Sequence, residues 1–244
     1  MVGVMPVVVL WAHSRSASTA FVRMMIERGD VAVLHEPFLA LTQGEAVLVP
    51  TPAGGSVPAA GAAELVDRLA DLAPARPVFI KEVLDYRYPY VFDHPDDLAW
   101  MTHTFLVRHP QQAISSHYAI KPTVTCPEIG YEWLWELFAL LRSATGRPPL
   151  VIRSEDLLQD PAAEIEAYCE AVELPFLPGA LAWTPGDRPE WQRHRSWHLD
   201  AIRSSGFASQ DHHYPDTVDN HELLRSFYEH HLPYYQAIVD NARR

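Results

Sequence analysis

The stretch that decides the fold is Pro6-Val-Val-Val-Leu-Trp-Ala-His-Ser-Arg-Ser-Ala-Ser-Thr-Ala-Phe-Val-Arg-Met-Met-Ile-Glu-Arg28. It opens with an uninterrupted apolar run from Val7 to Trp11. A run that is apolar on both faces is typical of a parallel strand covered by helices on both sides. Small and hydroxyl residues follow from position 14 to 19, and the later apolar residues take helical spacing. We therefore expect a strand, a short loop, and a helix whose first turn contains Ser18 and Thr19.

A strand, a loop of small residues and a helix N-terminus together form a common phosphate site. The N–H groups of the loop and of the first helical turn have no partner within the helix, and the helix dipole favours an anion there. Arg15 and the neighbouring hydroxyls would add charge-assisted hydrogen bonds. The Walker pattern and the dinucleotide fingerprint are both absent, because the loop has no glycine and no lysine precedes Ser18. A solvated turn in which Ser18 merely caps the helix is the alternative.

The rest of the chain alternates between strand and helix patterns. Apolar runs predict strands at 31–34, 77–81, 104–107 and 150–153. Helices are predicted at 62–72, 110–118, 128–145, 161–172 and 218–241. This alternation predicts an α/β fold of three layers, with a central parallel sheet flanked by helices and an α-helical C-terminal region.

Proline and glycine set three further expectations. Pro37 is expected to stop regular structure and to hold Glu36 in an extended conformation. Residues 40–60, rich in Ala, Gly, Pro and Thr, are predicted as a long loop. Pro233 is expected to interrupt or kink the last helix.

Four charged residues follow predicted strands or end them. Ligands of open parallel sheets bind beyond the carboxyl ends of the strands. Arg15, Glu36, Lys81 and Arg108 all fall at that edge. We therefore expect their side chains to face one cleft.

Three segments match the motifs of one known family. Ser14-Arg-Ser-Ala-Ser-Thr-Ala-Phe21 resembles the 5′-phosphosulfate loop of sulfotransferases that use 3′-phosphoadenosine 5′-phosphosulfate (PAPS). Thr104-Phe-Leu-Val-Arg-His-Pro-Gln-Gln-Ala-Ile-Ser-Ser-His-Tyr118 resembles the 3′-phosphate motif of that family. Val151-Ile-Arg-Ser-Glu-Asp-Leu-Leu-Gln-Asp-Pro161 resembles its strand and Glu-Asp-Leu turn. The three occur in the family's order, so the chain resembles a bacterial PAPS-dependent sulfotransferase with a P-loop-type α/β fold.

The resemblance implies a donor site at particular positions. The 5′ side would be bound by Arg15, Ser16, Ala17, Ser18 and Thr19. The 3′-phosphate would be bound by Arg108 and by Ser116, eight residues later. The family often has glycine where Ala17 stands, so we expect the backbone to approach the phosphate less freely there.

The resemblance also implies catalytic roles for Glu36, Lys81 and Arg15. Glu36 is the expected general base, because bacterial members carry a Glu at this turn. Burial near Phe38 is expected to raise its pKa towards the useful range. A structural carboxylate paired with Arg15 or Lys81 is the alternative for Glu36. Lys81 would contact the bridging oxygen or the acceptor.

Two other residues compete with Glu36 for the role of base. Glu82 is the reserve, and His35 is a weaker candidate. The cytosolic branch of the family places a catalytic His two residues after the lysine, where this chain has Val83. A stack on adenine would have to come from Trp197 or Phe207.

No metal is expected. Sulfuryl transfer does not require one, and there is no acidic pair of the Walker type. His194 and His198 stand four residues apart without a third ligand. The pairs His212-His213 and His230-His231 are predicted to be solvated.

Composition limits the function classes. The 244 residues are 48% hydrophobic, which suits one sulfotransferase-like domain over 1–244. The net charge of −12 argues against nucleic-acid and anionic-membrane partners, so the expected partner is a small-molecule acceptor. Two cysteines without metal spacing, and no signal-peptide or membrane-spanning pattern, indicate the cytoplasm. The sequence does not indicate an oligomeric state.

Two alternatives remain at this stage. One is a nucleotide-dependent kinase or other phosphotransferase on the same fold. The missing Gly-Lys-Ser/Thr and the missing magnesium carboxylate disfavour it. The other is a non-catalytic homologue that retains the nucleotide site.

Overall fold

The computed structural model describes residues 5–208 and 213–242, with the backbone alone at 190 and 192–194. The strands are β1 (Val7–Ala12), β2 (Ala32–His35), β3 (Val47–Pro50), β4 (Ser56–Ala59), β5 (Val78–Val83), β6 (Thr102–Val107) and β7 (Leu150–Arg153). The first six α-helices are α1 (Ser18–Arg28), α2 (Pro37–Thr42), α3 (Ala62–Leu72), α4 (Pro89–Asp93), α5 (Pro95–Leu98) and α6 (Pro110–Ile120). The others are α7 (Tyr131–Thr145), α8 (Ser154–Gln159), α9 (Pro161–Ala171), α10 (Leu199–Arg203) and α11 (Glu222–Asp240). Three 3₁₀ helices span Cys126–Ile129, Pro178–Leu181 and Pro189–His198.

Five strands form one parallel sheet in the order β2-β5-β1-β6-β7. The central strand is β1, in which Val9 pairs with Ile80 of β5 and with His103 of β6. Every residue of β1 is buried. The expected parallel strand with both faces covered is therefore confirmed.

Alternate side chains of β1 enter two different hydrophobic cores. Trp11 packs with residues of α3, α7 and α11 on one face of the sheet. Leu10 packs on the other face with residues of α1 and α9, including Phe21 and Tyr168. Two cores separated by a sheet make three layers, which confirms the predicted α/β architecture.

The long loop predicted for residues 40–60 is wrong. Helix α2 extends to Thr42, and β3 and β4 then pair as an antiparallel hairpin. Val49 and Ala59 are buried in the first core, so the hairpin is stabilised by packing that local composition does not reveal. Gly54 and Gly55 have positive φ values at its tip, where such values close a tight turn.

The expectation for Pro37 is also wrong. Pro37 begins α2, since its fixed φ and missing N–H suit a first helical position. Glu36 is not extended but has φ 54° and ψ 47°, the left-handed conformation. This turn carries the chain directly from β2 into α2.

The stretch predicted as one helix over 128–145 is divided at Gly130. Gly130 has φ 89°, and a Cβ atom there would lie 2.4 Å from the carbonyl oxygen of Leu84. Helix α11, by contrast, continues through Pro233, so the interruption that was one of the two expected effects does not occur. It packs against α6 and α7, and this contact outweighs the loss of one N–H donor. None of the helices among the described residues, α11 included, has the length and apolar character needed to cross a bilayer.

Candidate functional site

A cavity of about 380 Å³ lies at the carboxyl edge of the sheet. The residues expected at this edge that line it are Arg15, Ala17, Ser18, Thr19, Glu36, Lys81 and Arg108. They come from the ends of β1, β2, β5 and β6, which are neighbours in the sheet. The structure therefore brings the two arginines and the carboxylate–lysine pair to one cleft.

The loop after β1 has the backbone of an anion cradle. Arg15 and Ala17 have φ values of 68° and 65°, and such left-handed residues turn N–H groups to one side. Within the described part of the chain, the N–H groups of residues 15–19 donate to no acceptor. The hydroxyl of Ser16 is buried and has no partner there either. Ala17, not Ser18, is the N-cap of α1, and the structure shows no side-chain capping bond there. The alternative in which Ser18 merely caps the helix is therefore wrong.

Arg15 joins this loop to two distant elements. Its Nε donates to Oγ of Ser116 on α6 at 2.9 Å. Its Nη2 lies 2.7 Å from Oδ2 of Asp200 on α10, and its Nη1 donates to the carbonyl of Trp197. Ser116 does not line the cavity, and its hydroxyl contacts Arg15, which does. The hydroxyl of Tyr214 also donates to Oγ of Ser116, at 2.9 Å.

Arg108 lies against the same loop. Its Nη1 donates to the carbonyl oxygen of Arg15 at 3.3 Å, and its Nε donates to Gln112. Its backbone N–H donates to Nε2 of His13 at 3.0 Å, while Nδ1 of His13 donates to the carbonyl of Ser14 at 2.8 Å. Burial, assisted by the charge of Arg108, lowers the pKa of His13 to about 3. A neutral His13 therefore holds the loop and the end of β6 together.

The third motif contributes Ser154, the first residue of α8. Its hydroxyl is buried and lies within hydrogen-bond distance of the carbonyl oxygens of Ser16 and Val107, at 2.7 and 3.1 Å. Glu155 accepts from the N–H of His109 at 2.7 Å. The three motifs are thus joined around one loop, although 138 residues separate Ser154 from Ser16.

Glu36 and Lys81 form a buried ion pair at the cavity wall. Nζ of Lys81 lies 2.5 Å from Oε1 of Glu36, and Nε2 of His35 lies 3.6 Å from the same oxygen. Burial alone would raise the pKa of Glu36, but the charge of Lys81 and the neighbouring His35 outweigh it and lower the pKa to about 2. The expected rise in the pKa of Glu36 is therefore wrong, because Glu36 is paired with Lys81, as the alternative for this residue had it.

Glu82 points away from this cavity. Its Oε1 accepts from the N–H of Phe38 at 2.5 Å, at the start of α2. Burial, with the charge of Glu36, raises the pKa of Glu82 well above its usual range. Glu82 thus favours the protonated form more than an exposed glutamate does, and it accepts a hydrogen bond at the start of α2.

Sequence reasoning missed Asp85, which lines the cavity two residues after β5. Its two oxygens accept from the N–H and the hydroxyl of Ser14, at 3.3 and 2.7 Å. Burial raises the pKa of Asp85 to about 6, although the Ser14 hydroxyl opposes this. The available signal was its position shortly after the predicted strand 77–81, which Lys81 ends.

The far wall of the cavity is formed by Tyr86, Lys121, Glu128 and Trp197. Glu128 accepts from Nζ of Lys121 at 2.5 Å and from the hydroxyl of Tyr86 at 3.1 Å. Trp197 lines the cavity, as a stacking role requires. Phe207 instead packs edge-on against Phe21 and Trp183 in the second core. His212 and the side chain of His194 lie outside the described residues.

Three comparisons place this geometry among known proteins. A family model described as a sulfotransferase domain matches residues 6–242. The chain is 27% identical over 241 residues to branched-chain-amino-acid aminotransferase-like protein 2 of Arabidopsis thaliana, covering 96% of this chain and 41% of that protein. The chain therefore spans about two fifths of the length of this relative.

Two solved structures are similar over most of the chain. A sulfotransferase from Alicyclobacillus acidocaldarius is 10% identical, with a TM-score of 0.50, and 81% of this chain and 92% of that one are covered. A sulfotransferase domain from the curacin biosynthetic pathway is 16% identical, with a TM-score of 0.49, covering 88% and 89%. At 10% identity the likeness to the Alicyclobacillus acidocaldarius protein concerns the fold alone.

Proposed function

Because this chain belongs to the sulfotransferase domain family, we propose that it transfers a sulfuryl group from PAPS to a hydroxyl or amine of a small acceptor. The observation that carries the proposal is the anion cradle beside two arginines. Arg15, Arg108 and the loop N–H groups, which have no acceptor among the described residues, lie at one cavity, and the buried Ser16 hydroxyl belongs to the same loop. A ligand with phosphates at two ends of a nucleoside fits such a site.

The donor would be bound at its two ends by different elements. Residues Arg15 to Thr19 would bind the 5′-phosphosulfate through backbone N–H groups, hydroxyls and a guanidinium. Arg108 would bind the 3′-phosphate, and Ser116 would join it once its hydroxyl is released from Arg15. Trp197, on the cavity wall, is our candidate for the adenine stack.

The donor supplies the activated sulfuryl group and a good leaving phosphate. Lys81 and Arg15 would stabilise the charge that develops on the leaving 5′-phosphate as the bond between sulfur and the bridging oxygen breaks. Glu36 would accept the proton that the acceptor hydroxyl or amine loses as its oxygen or nitrogen bonds to sulfur. The products would be a sulfated acceptor and 3′-phosphoadenosine 5′-phosphate (PAP).

Glu36 can serve as a base only if its pairing with Lys81 relaxes. An anion near Lys81 would attract the ammonium group and raise the pKa of Glu36 from its low value in the free protein. Asp85 is the alternative base at the same wall, since its pKa of about 6 already suits proton transfer near neutral pH.

The setting of the reaction is part of the proposal. We treat residues 1–244 as one sulfotransferase domain. Both cysteines are free, which suits the reducing cytoplasm. The net charge of −12 favours a small molecule over nucleic acid or an anionic membrane as the partner.

Calorimetric titration with PAP tests the donor site. Arg108→Ala is expected to weaken PAP binding by about 10- to 100-fold, because a charge-assisted hydrogen bond is lost. Arg142→Ala is the matched control, since Arg142 is on α7 and donates to Asn241 outside the cavity. Failure of the unmodified protein to bind PAP or PAPS would end the proposal.

Product formation tests the activity. The protein, PAPS and a panel of hydroxyl and amine acceptors should yield PAP and a sulfated product. Glu36→Gln is expected to lower the rate by about 10²- to 10⁴-fold while leaving PAP affinity nearly intact. Tight PAPS binding without product would instead identify a non-catalytic homologue, and magnesium-dependent consumption of ATP would identify a phosphotransferase.

A further inference from the structure

Cys126, His230 and His231 form a cluster that is not part of the cavity wall. The thiol and one ring nitrogen from each histidine lie within 4.8 Å of one another. We propose that this cluster binds a transition-metal ion of the zinc class through the Cys126 thiolate and one nitrogen from each histidine. It is separate from the chemistry of sulfuryl transfer, for which no metal is needed.

His231 provides the strongest observation. The sequence predicts a solvated histidine pair, but His231 has no exposed surface. Its Nε2 donates to the carbonyl oxygen of Cys126 at 2.7 Å, whereas its Nδ1 is buried and has no partner within the described part of the chain. A buried ring nitrogen without a partner is unfavourable, so this ring has an unused binding position.

The thiol of Cys126 lies against the same ring. Its sulfur is 3.5 Å from Nε2 of His231. The thiol therefore lies beside a ring whose Nδ1 has no partner among the described residues. Since Nε2 is hydrogen-bonded to the Cys126 carbonyl oxygen, Nδ1 is the nitrogen available to a metal ion.

His230 adds the third ligand and its support. Its Nε2 lies 3.2 Å from a carboxylate oxygen of Glu132. A carboxylate on the outer nitrogen of a ligating histidine orients the ring and raises its basicity. The contact leaves the other ring nitrogen of His230 for the metal, and the exposure of His230 gives an ion access from solvent.

A metal ion here would join the 3₁₀ helix Cys126–Ile129 to α11. Glu128 of that 3₁₀ helix binds Lys121 and Tyr86 at the far wall of the cavity. Metal binding is therefore expected to hold this wall in place. This metal site is independent of which donor or acceptor the cavity binds.

Titration of the full, metal-free chain with Co²⁺ tests the site. Cobalt bound to a thiolate gives a charge-transfer band in the near ultraviolet, and tetrahedral cobalt absorbs strongly in the visible. We expect both bands at one equivalent, with Zn²⁺ displacing the cobalt. Cys126→Ser should abolish the charge-transfer band, while Cys169→Ser, at the other free cysteine, should keep it. Glu132→Gln should weaken cobalt binding by about tenfold.

His230→Gln provides a variant that does not disturb buried packing. It is expected to weaken Co²⁺ binding by at least about 10²-fold without changing the circular dichroism spectrum. The proposal is wrong if the unmodified chain gives no charge-transfer band. It is also wrong if the band survives in Cys126→Ser, because another group would then be the ligand.

Discussion

Ala17 has a backbone conformation that glycine adopts more easily. Its φ of 65° and ψ of 13° bring Cβ close to the following carbonyl, which costs about 1–2 kcal/mol. We expect Ala17→Gly to raise the free energy of unfolding by about 0.5–1 kcal/mol, after the larger entropy of the unfolded glycine is subtracted. Urea denaturation measures the change. Ala20→Gly, in the first turn of α1, should instead lower stability by about 1 kcal/mol. Equal losses in both variants would contradict a strained Ala17.

The pH profile of kcat/KM distinguishes the two candidate bases. A carboxylate base loses activity as pH falls below its pKa. With a pKa of about 2 in the free protein, Glu36 stays ionised at every pH in the test range, so we expect a flat profile from about pH 5.5 to 7.5. Asp85, with a pKa of about 6, would instead give an acid limb near that value. If the profile has an acid limb and that limb disappears in Asp85→Asn, the base is Asp85 and not Glu36.

Strand ends made part of the site predictable from single residues. Arg15, Glu36, Lys81 and Arg108 were expected at one edge, because carboxyl ends of parallel strands meet there, and the structure places them around one cavity. The pairing of Glu36 with Lys81 was anticipated as an alternative, but the partners of the two arginines were not predictable. Arg15 and Asp200 are 185 positions apart, and no local pattern connects them. Their roles in binding and catalysis stay predictions.

At the scale of elements, Gly130 joins the 3₁₀ helix Cys126–Ile129 to α7, and its backbone passes close to the carbonyl group of Leu84. Gly130→Ala would place Cβ at 2.4 Å from the Leu84 carbonyl, in addition to the strain of φ 89°. We expect a loss of about 3 kcal/mol or more in the free energy of unfolding. Gly146→Ala is the matched control, because its φ is 70° but no atom lies within 4 Å of the added Cβ. It should lose only about 1–2 kcal/mol, and equal losses would show that the Leu84 contact is unimportant.

Elements were predictable where periodicity was strong and local. The helix predicted over 62–72 was correct to the residue, and the 150–153 strand likewise. The hairpin of β3 and β4 was missed, because the buried positions of Val49 and Ala59 depend on a core built by distant elements. The break at Gly130 was missed for a similar reason, since it follows from the approach of Leu84.

At the scale of the whole molecule, buried neutral histidines make stability depend on pH. Burial lowers the pKa of four of them, to about 3 at His13 and to about 4 at His103, His117 and His231. Burial also raises the pKa of Asp85 to about 6 and that of Glu82 well above its usual range. Near pH 5.5 the unfolded chain gains about four protons on these histidines, whereas it loses about one from Asp85 and at most about one from Glu82, a net uptake of at least about two.

Stability should therefore fall as pH drops from about 6.5 towards 4, by about 3 kcal/mol per pH unit near 5.5. Urea unfolding at several pH values measures the slope. His103→Gln should reduce the slope of the unfolding free energy against pH by the contribution of about one proton. Its neutral ring accepts from Nε1 of Trp11 and donates to the carbonyl of Leu98, so a second proton would break the Trp11 bond. A slope unchanged in this variant would contradict the assignment.

The contact between Arg15 and Asp200 affects which solutes the cavity can retain. Nη2 of Arg15 lies 2.7 Å from Oδ2 of Asp200. An arriving anion would therefore have to compete with this carboxylate for the guanidinium. We expect chloride and inorganic phosphate, which can make few further contacts, to compete poorly with Asp200 for Arg15. If the cavity binds the proposed nucleotide, the second anionic end would offset the cost of separating Arg15 from Asp200, so this ion pair would select against small anions.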